Sequence, residues 1–367
     1  NEIEVEDNFL EFPRKYIEEN KYSMDAQINF DNKEKLIVKM MSLRNENEAK
    51  KIFAKDKQNL DILIYDLKLY SQEAQVESLE RLVNQGFYSG TKLKEAYVDL
   101  FQNKKDSIVN EKLDFLKMNT VLARAKIFVE AINAVSSSER AKYLNILWKK
   151  ATEKNIYRAL AVVTSELTLT IVPENNLSWF IYPAVKNLLA SDNIVEAKNW
   201  LFYKSNDLFN RAAVDINFCR FLLLLYIKDK DINNYTMSMP SVEGLLDILL
   251  NDIEIREDQL YKLLVTLKSL DFKIPKGIWN KFFYLKDREV FTNNKKDFTI
   301  YFFALEDAIL NKNKAESIIM AINILSYNNT KETVMQNLFK GLSGLNKIGL
   351  EKEARDYALE INFDILK

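Results

Sequence analysis

Carboxylates, lysines and tyrosines are the only abundant side chains here that could do chemistry, because histidine is absent and cysteine occurs once. Without histidine there is no side chain whose proton moves near neutral pH, and the commonest ligand of transition metals is missing. The lone thiol, Cys219, lies in the apolar run from Ile216 to Ile227 and reads as a buried structural residue. One cysteine forms no internal disulfide and no cysteine-cluster zinc site. The acidic group Asp247, Asp252, Glu254, Glu257 and Asp258 has neither EF-hand spacing nor the glycine such a loop needs. It reads as capping and solvation of helix ends. There is no Gly-rich phosphate loop, no Gly-x-Ser-x-Gly elbow and no His-Glu-x-x-His. No catalytic, cofactor-binding or metal-binding residue is assigned, and no cofactor is expected.

Binding is a different matter. Aromatic residues crowd one region: Trp279, Phe282, Phe283 and Tyr284, then Phe291, Phe298, Tyr301, Phe302 and Phe303. At such spacings aromatics line a groove for a partner helix or peptide, or they form inter-helix core. Trp279, Phe283, Tyr284 and Tyr301 are the candidates for a partner-binding surface. Lys273, Lys276, Lys281, Lys295 and Lys296 interleave with them, the mixture that single-stranded nucleic acid prefers. Asp271, Asp287, Glu289 and Asp297 dilute that charge, and the formal net charge of the chain is -1. A phosphate-tracking protein needs a basic excess, so nucleic acid is disfavoured and a protein or peptide is the expected partner.

The elements that would position these residues are helices. Only 7 glycines and 5 prolines punctuate 367 residues, too few for the turns of an all-β chain, and no Asn-Gly or Asp-Gly hairpin signal occurs. Apolar residues instead recur at helical spacing nearly everywhere. Ser137 or Ser138 is expected to cap a helix carrying Tyr143, Leu144, Leu147 and Trp148. Ile156–Leu169 follows at once, and Pro183 is expected to kink or break the segment after Pro173. Further helices are expected over Glu34–Leu43, Leu93–Phe101, Ser107–Met118, Leu208–Ile227, Val242–Leu250, Asp258–Leu270, Pro275–Leu285, Asp297–Leu310, Ala315–Leu325 and Lys331–Asn346. Connections such as Ser191-Asp192-Asn193 and Asn311-Lys312-Asn313 are short, which forces antiparallel neighbours. The longest apolar run, Phe218–Ile227, contains Arg220 and is too short to span a bilayer. The chain starts at Asn1, not Met, which tips the reading toward a periplasmic over a cytoplasmic location.

A degenerate internal repeat accompanies the helices. Leu188–Trp200, Leu345–Tyr357 (LNKIGLEKEARDY), Ile309–Met320 (ILNKNKAESIIM) and Ala151–Val162 (ATEKNIYRALAV) each join a helix end to a short turn. An alanine flanked by charge and then a large apolar residue follow. A small residue lets two helices approach closely, and the large one fills the next gap. These stretches resemble the helix junction of tetratricopeptide-type (TPR) repeats, though the Trp-Leu-Gly-Tyr positions of a TPR first helix are not met in order. Leu177–Trp200 and Gly349–Glu360 are also similar to segments of large uncharacterised helical-repeat proteins of proteobacteria, a resemblance that implies a fold and no activity.

The expected architecture is all-α, an irregular right-handed α-solenoid of antiparallel helical hairpins. It comprises an N-terminal extension over 1–30, one helical sub-stack over 31–236 and a second over 241–367, with the seam at Met237–Pro240. The expected function is a non-catalytic scaffold or adaptor binding a protein or peptide on a concave helical face. The alternative is the superhelical accessory part of an all-α enzyme such as a cell-wall lytic enzyme. The Gly-Leu-Met-Gln turn of the lytic transglycosylase catalytic domain is absent.

Overall fold

The structure, a computed structural model, describes residues 45–54, 57–110, 115–208, 215–229, 241–251, 255–279, 299–326 and 331–366. Every regular element among them is helical, and none of the described residues is in a strand. The chain divides into two compact units, one ending at Leu167 and the other starting at Thr168. The N-terminal extension 1–30, the helix expected over Glu34–Leu43 and the seam expected at Met237–Pro240 lie outside the described residues.

Unit 1 contains α1 (Glu46–Ile52), α2 (Lys57–Asp66), α3 (Gln72–Asn84), α4 (Gly90–Asn110), α5 (Val121–Asn133), α6 (Ser137–Glu153) and most of α7 (Tyr157–Leu169). Three of its helices begin where a hydroxyl satisfies a free backbone amide. Ser71, Thr120 and Ser136 accept from the amides of Ala74, Ala123 and Glu139. The cap of α6 is thus Ser136, one residue before the serines expected from the sequence. From α2 to α6 each helix packs on the next. Their apolar stripes supply the core, with Leu79, Leu82, Leu93, Leu100, Ile127, Phe128, Leu144 and Leu147 fully enclosed. The two helices expected over 93–118 begin as one, α4, which runs unbroken to Asn110. The polar stretch Gln102–Asp106 carries no helix breaker, so nothing interrupts its backbone ladder there.

Unit 2 contains a 3₁₀ turn (Asn175–Phe180), then α8 (Ile181–Ala190), α9 (Ile194–Leu208), α10 (Ile216–Lys228), α11 (Val242–Leu250) and α12 (Glu257–Ser269). A helical turn at 276–279 follows, and α13 (Thr299–Leu310), α14 (Lys314–Ser326), α15 (Lys331–Lys347) and α16 (Glu351–Asn362) complete it. Pro183 does not break a helix. The break falls earlier, where the 3₁₀ turn meets α8, and Pro183 sits in the first turn of α8, whose amides have no intrahelical partner to lose. The long helix expected over 208–227 begins at Ile216, where the Asp215 side chain accepts from the Asn217 amide.

Contacts in unit 2 are not only between successive helices. Helix α10 packs on α11 and also on the C-terminal α16, and α12 packs on both α15 and α16. The chain end is tied down at several points. Lys186 Nζ donates to the Leu366 carbonyl (3.1 Å), Gln259 Nε2 to the Asp364 carbonyl (2.7 Å), and Lys262 Nζ to both Asp364 carboxylate oxygens. Arg355 donates to the carbonyls of Tyr226 and Ile227, which the end of α10 leaves without intrahelical donors. Helix α15 sits close to its neighbours because it carries glycine where they cross. A Cβ at Gly341 would run into the Leu325 side chain of α14, and one at Gly344 would come within 2.9 Å of Leu305 on α13.

The four turns singled out in the sequence share one backbone device. Asn155, Asp192, Lys312 and Gly349 all have positive φ. The residue after each donates its amide five residues back, to Ala151, Leu188, Ala308 and Leu345. This is the left-handed helix stop. It also ends helices outside those four stretches, at Gly86 and Asp271, so helix termination by itself accounts for the likeness of the turns. Ala197 and Ala354 are fully buried five residues past the turn, and in the third stretch that position is Ser317. Ala315, the alanine expected there, is exposed.

Candidate partner-binding cleft

Unit 2 presents an open, mostly apolar cleft of about 310 Å³. Helix α12 supplies Tyr261, Val265 and Lys268, spaced i, i+4 and i+7 and therefore on one face. Leu263 and Leu267 are buried on the opposite face of α12, and Leu338 and Leu342 of α15 are buried as well. Helix α15 gives the cleft Met335, Gln336, Phe339 and Lys340, α13 adds Phe302, and the turn 276–279 adds Trp279. The hydroxyl of Ser343 on α15 reaches the Ser269 carbonyl of α12, and Asn346 reaches Asp271. Later residues of one helix thus meet later residues of the other, so the two walls run in the same direction.

Charge at this cleft is partly spent. Lys340 is bonded to Glu306 (2.7 Å) and lies 5.8 Å from the centroid of the Phe302 ring. That hydrogen bond and charge, with Lys347 adding to the field, hold the Glu306 carboxyl below its ordinary range. Lys268 is exposed and has no ion pair among the described residues.

Of the four residues expected to bind a partner, Trp279 lines the cleft and is half-buried. Phe283 and Tyr284 lie outside the described residues, and Tyr301 is described only as part of the backbone of α13. Phe302 was among the crowded aromatics noted in the sequence. Tyr261, Met335 and Phe339 are not marked by the sequence pattern, because they reach the cleft from helices about 20 residues before Trp279 and about 35 after Phe302. Only the packing of α12 on α15 brings them together.

Other polar groups are bonded to one another. In unit 1, Glu80 and Arg124 are both fully buried and joined by two hydrogen bonds, Nε to Oε1 (2.7 Å) and Nη2 to Oε2 (2.6 Å). The buried Tyr97 hydroxyl donates to the same carboxylate (2.5 Å), and Arg124 Nη1 donates to both oxygens of Asn119. Burial lowers the tendency of Arg124 to stay charged, but the Glu80 hydrogen bonds and charge outweigh it and the net direction is up. Burial, and then the Glu80 charge, pushes the Tyr97 hydroxyl well above its ordinary value. Nothing in the sequence pattern signals this network, because Glu80, Tyr97 and Arg124 lie on three different helices.

A second cleft in unit 2, lined by Lys228, Asp229, Glu351, Arg355 and Asp356, is already occupied by its own ion pairs. Lys228 bridges Asp192 and Asp356, and Arg355 holds Glu351. Cys219 is enclosed in α10, where burial and then Asp215 push its thiol up to about 11. Among the described residues no group of histidine, cysteine, aspartate or glutamate could hold a metal ion. Of the acidic cluster, Glu257 and Asp258 lie in the first turn of α12, where negative charge opposes the helix dipole. Asp252 and Glu254 lie outside the described residues. No described helix is long and apolar enough to cross a membrane. No family model matches the chain, and neither does any curated protein or solved structure.

Proposed function

We propose that the chain is a non-catalytic helical-hairpin scaffold or adaptor, of the TPR-like α-solenoid kind, that binds a protein or peptide in the cleft walled by α12, α13 and α15. The observation that carries this reading is the cleft's lining. Trp279, Phe302, Phe339, Met335 and Tyr261 converge on one open surface, and large aromatics with methionine are the side chains that anchor partners most effectively. At about 310 Å³ the cleft is at the lower end of what small-ligand pockets need, and it suits one or two bulky side chains of a partner. The chain's buried charges do not compete with this reading, since Glu80, Arg124 and Tyr97 serve each other.

Selection from a random 12-residue peptide phage library tests it. Peptides enriched on the wild-type protein are expected to lose at least tenfold in affinity on Trp279→Ala and on Phe339→Ser, with the helical circular dichroism unchanged. Failure to enrich any peptide, or enrichment indifferent to both substitutions, overturns the proposal.

A further inference from the structure

We infer that the partner segment is acidic, a short peptide or helix presenting a bulky apolar anchor with a carboxylate about one helical turn away; this rests on the cleft being the binding surface. The argument is charge and register. Because α12 and α15 run in the same direction, Tyr261 and Met335 fall in the upstream half of the cleft. Lys268 and Lys340 fall in the downstream half, one turn apart in level. One end is therefore edged by Tyr261, Met335 and the uncharged Gln336, and the other by cations.

The cations exceed the carboxylates that face them. Lys340 and Lys347 both act on Glu306, Asp271 is engaged by the Asn346 amide, and Lys268 has no ion pair among the described residues. Lys276 stands three residues before Trp279 on the same helical turn, which places it on the same face. Among the described residues that line the cleft there are two lysines, Lys268 and Lys340, and no carboxylate. A basic partner would meet like charge at this rim, and a neutral one would leave Lys268 unused.

A carboxylate beside the anchor would share Lys268 and compete with Glu306 for Lys340. The walls are apolar over most of the groove, with Val265, Phe302 and Phe339 lining it besides Tyr261 and Met335. That pattern suits a peptide's apolar anchors at i, i+3 or i+4 more than a phosphate backbone, which wants cations along the whole track.

The peptides selected above supply the probe. Each is synthesised with a fluorescein label in three forms, with its acidic residue kept, changed to Gln and changed to Lys. Anisotropy titrations are run at about 50 and 300 mM salt, against wild-type protein, Lys268→Glu and Lys276→Glu. The selected set is expected to be enriched in Asp or Glu within four positions of a Trp, Phe, Leu or Met. The acidic form should bind about tenfold tighter than the Lys form at low salt, with most of the gap lost at high salt. Lys268→Glu should narrow or reverse that order while leaving the apolar contribution intact. Equal affinities for all three forms, unchanged by Lys268→Glu but still abolished by Trp279→Ala, would overturn the acidic partner and leave the cleft reading standing. If no peptide is enriched, both fall. Tighter binding of a thymidine oligonucleotide than of any peptide overturns it as well.

Discussion

The two units differ in where one feature of each is concentrated. Unit 1 encloses a carboxylate–guanidinium pair completely, whereas unit 2 carries a run of exposed apolar residues along α13 and α14. Glu80 and Arg124 are each about 1% exposed, while Phe303 is 62% exposed, Ile319 and Ile322 are 55%, and Leu310 is 78%. Polar satisfaction explains the first: every hydrogen-bonding group of the Arg124 fork that is engaged meets an oxygen on Glu80 or Asn119. A buried ion pair of that kind contributes little net stability over an apolar replacement, but losing one partner is costly, so it ties α3 to α5 where they meet. Unit 2 fixes its register differently, through Gly341 and Gly344 and through the return of its chain end onto α8, α10 and α12. That leaves the outer faces of α13 and α14 free to carry apolar residues at no cost to the core.

The comparison can be broken most sharply at Arg124. Arg124→Met leaves the Glu80 carboxylate buried without its counter-ion, and urea denaturation should show a loss of about 3–5 kcal/mol. Adding Glu80→Met should recover most of it, short of what the stranded Tyr97 hydroxyl and Asn119 oxygens cost. A single substitution that costs under 1 kcal/mol would mean that unit 1 does not depend on the pair.

Tyr97→Phe removes one hydrogen bond to a charged group and should cost about 1.5–3 kcal/mol. It should also alter the alkaline limb of stability. The folded Tyr97 holds its proton above the value of the unfolded chain, so its contribution is complete below about pH 10 and is lost as pH rises through the folded value. Tyr157 and Tyr182 are displaced in the same direction, and the difference profile between wild type and Tyr97→Phe from pH 8 to 11 isolates the Tyr97 share.

In unit 2, Gly341→Val should push α15 off α14 and cost about 1–3 kcal/mol, as overpacking does. Thermal unfolding that matches wild type would show that the crossing has room the glycine does not need. Cys219 provides a local readout, since its enclosed thiol should react with Ellman's reagent at pH 8 only as fast as α10 is exposed. The smallest effect is expected on the outer face of α14. Ile319→Ser and Ile322→Ser should change stability by within about 0.5 kcal/mol, while Ile324→Ala, fully buried on the same helix, should cost about 2–5 kcal/mol. Equal losses at the three positions would mean that the outer face is covered.

Helix positions were legible from the sequence because they depend on local events. Val242–Leu250 begins at a serine and ends where its apolar spacing ends, and the turns at Asp192, Lys312 and Gly349 are short and polar. Pro183 misled for a local reason too: a proline breaks a helix only beyond the first turn, and the frame that decides this is set by where Ile181 starts. Trp279 was legible as a candidate because aromatic crowding is a matter of composition.

What the sequence could not carry were relations between distant helices. The sequence pattern points to Ala315 as the small residue of its turn, yet the face buried by α14 is set by α13 and α15 and runs through Ser317, Ala321 and Ile324. The Glu80–Tyr97–Arg124 network joins residues 17 and 44 positions apart, and the cleft joins α12 to α15 across roughly 75 positions. Periodicity states that a helix has an apolar side. Which helix covers that side, and which apolar residues are left over to face a partner, is decided only when the chain has packed, because each buried stripe must find a complementary surface and a bonded partner for every polar atom it encloses.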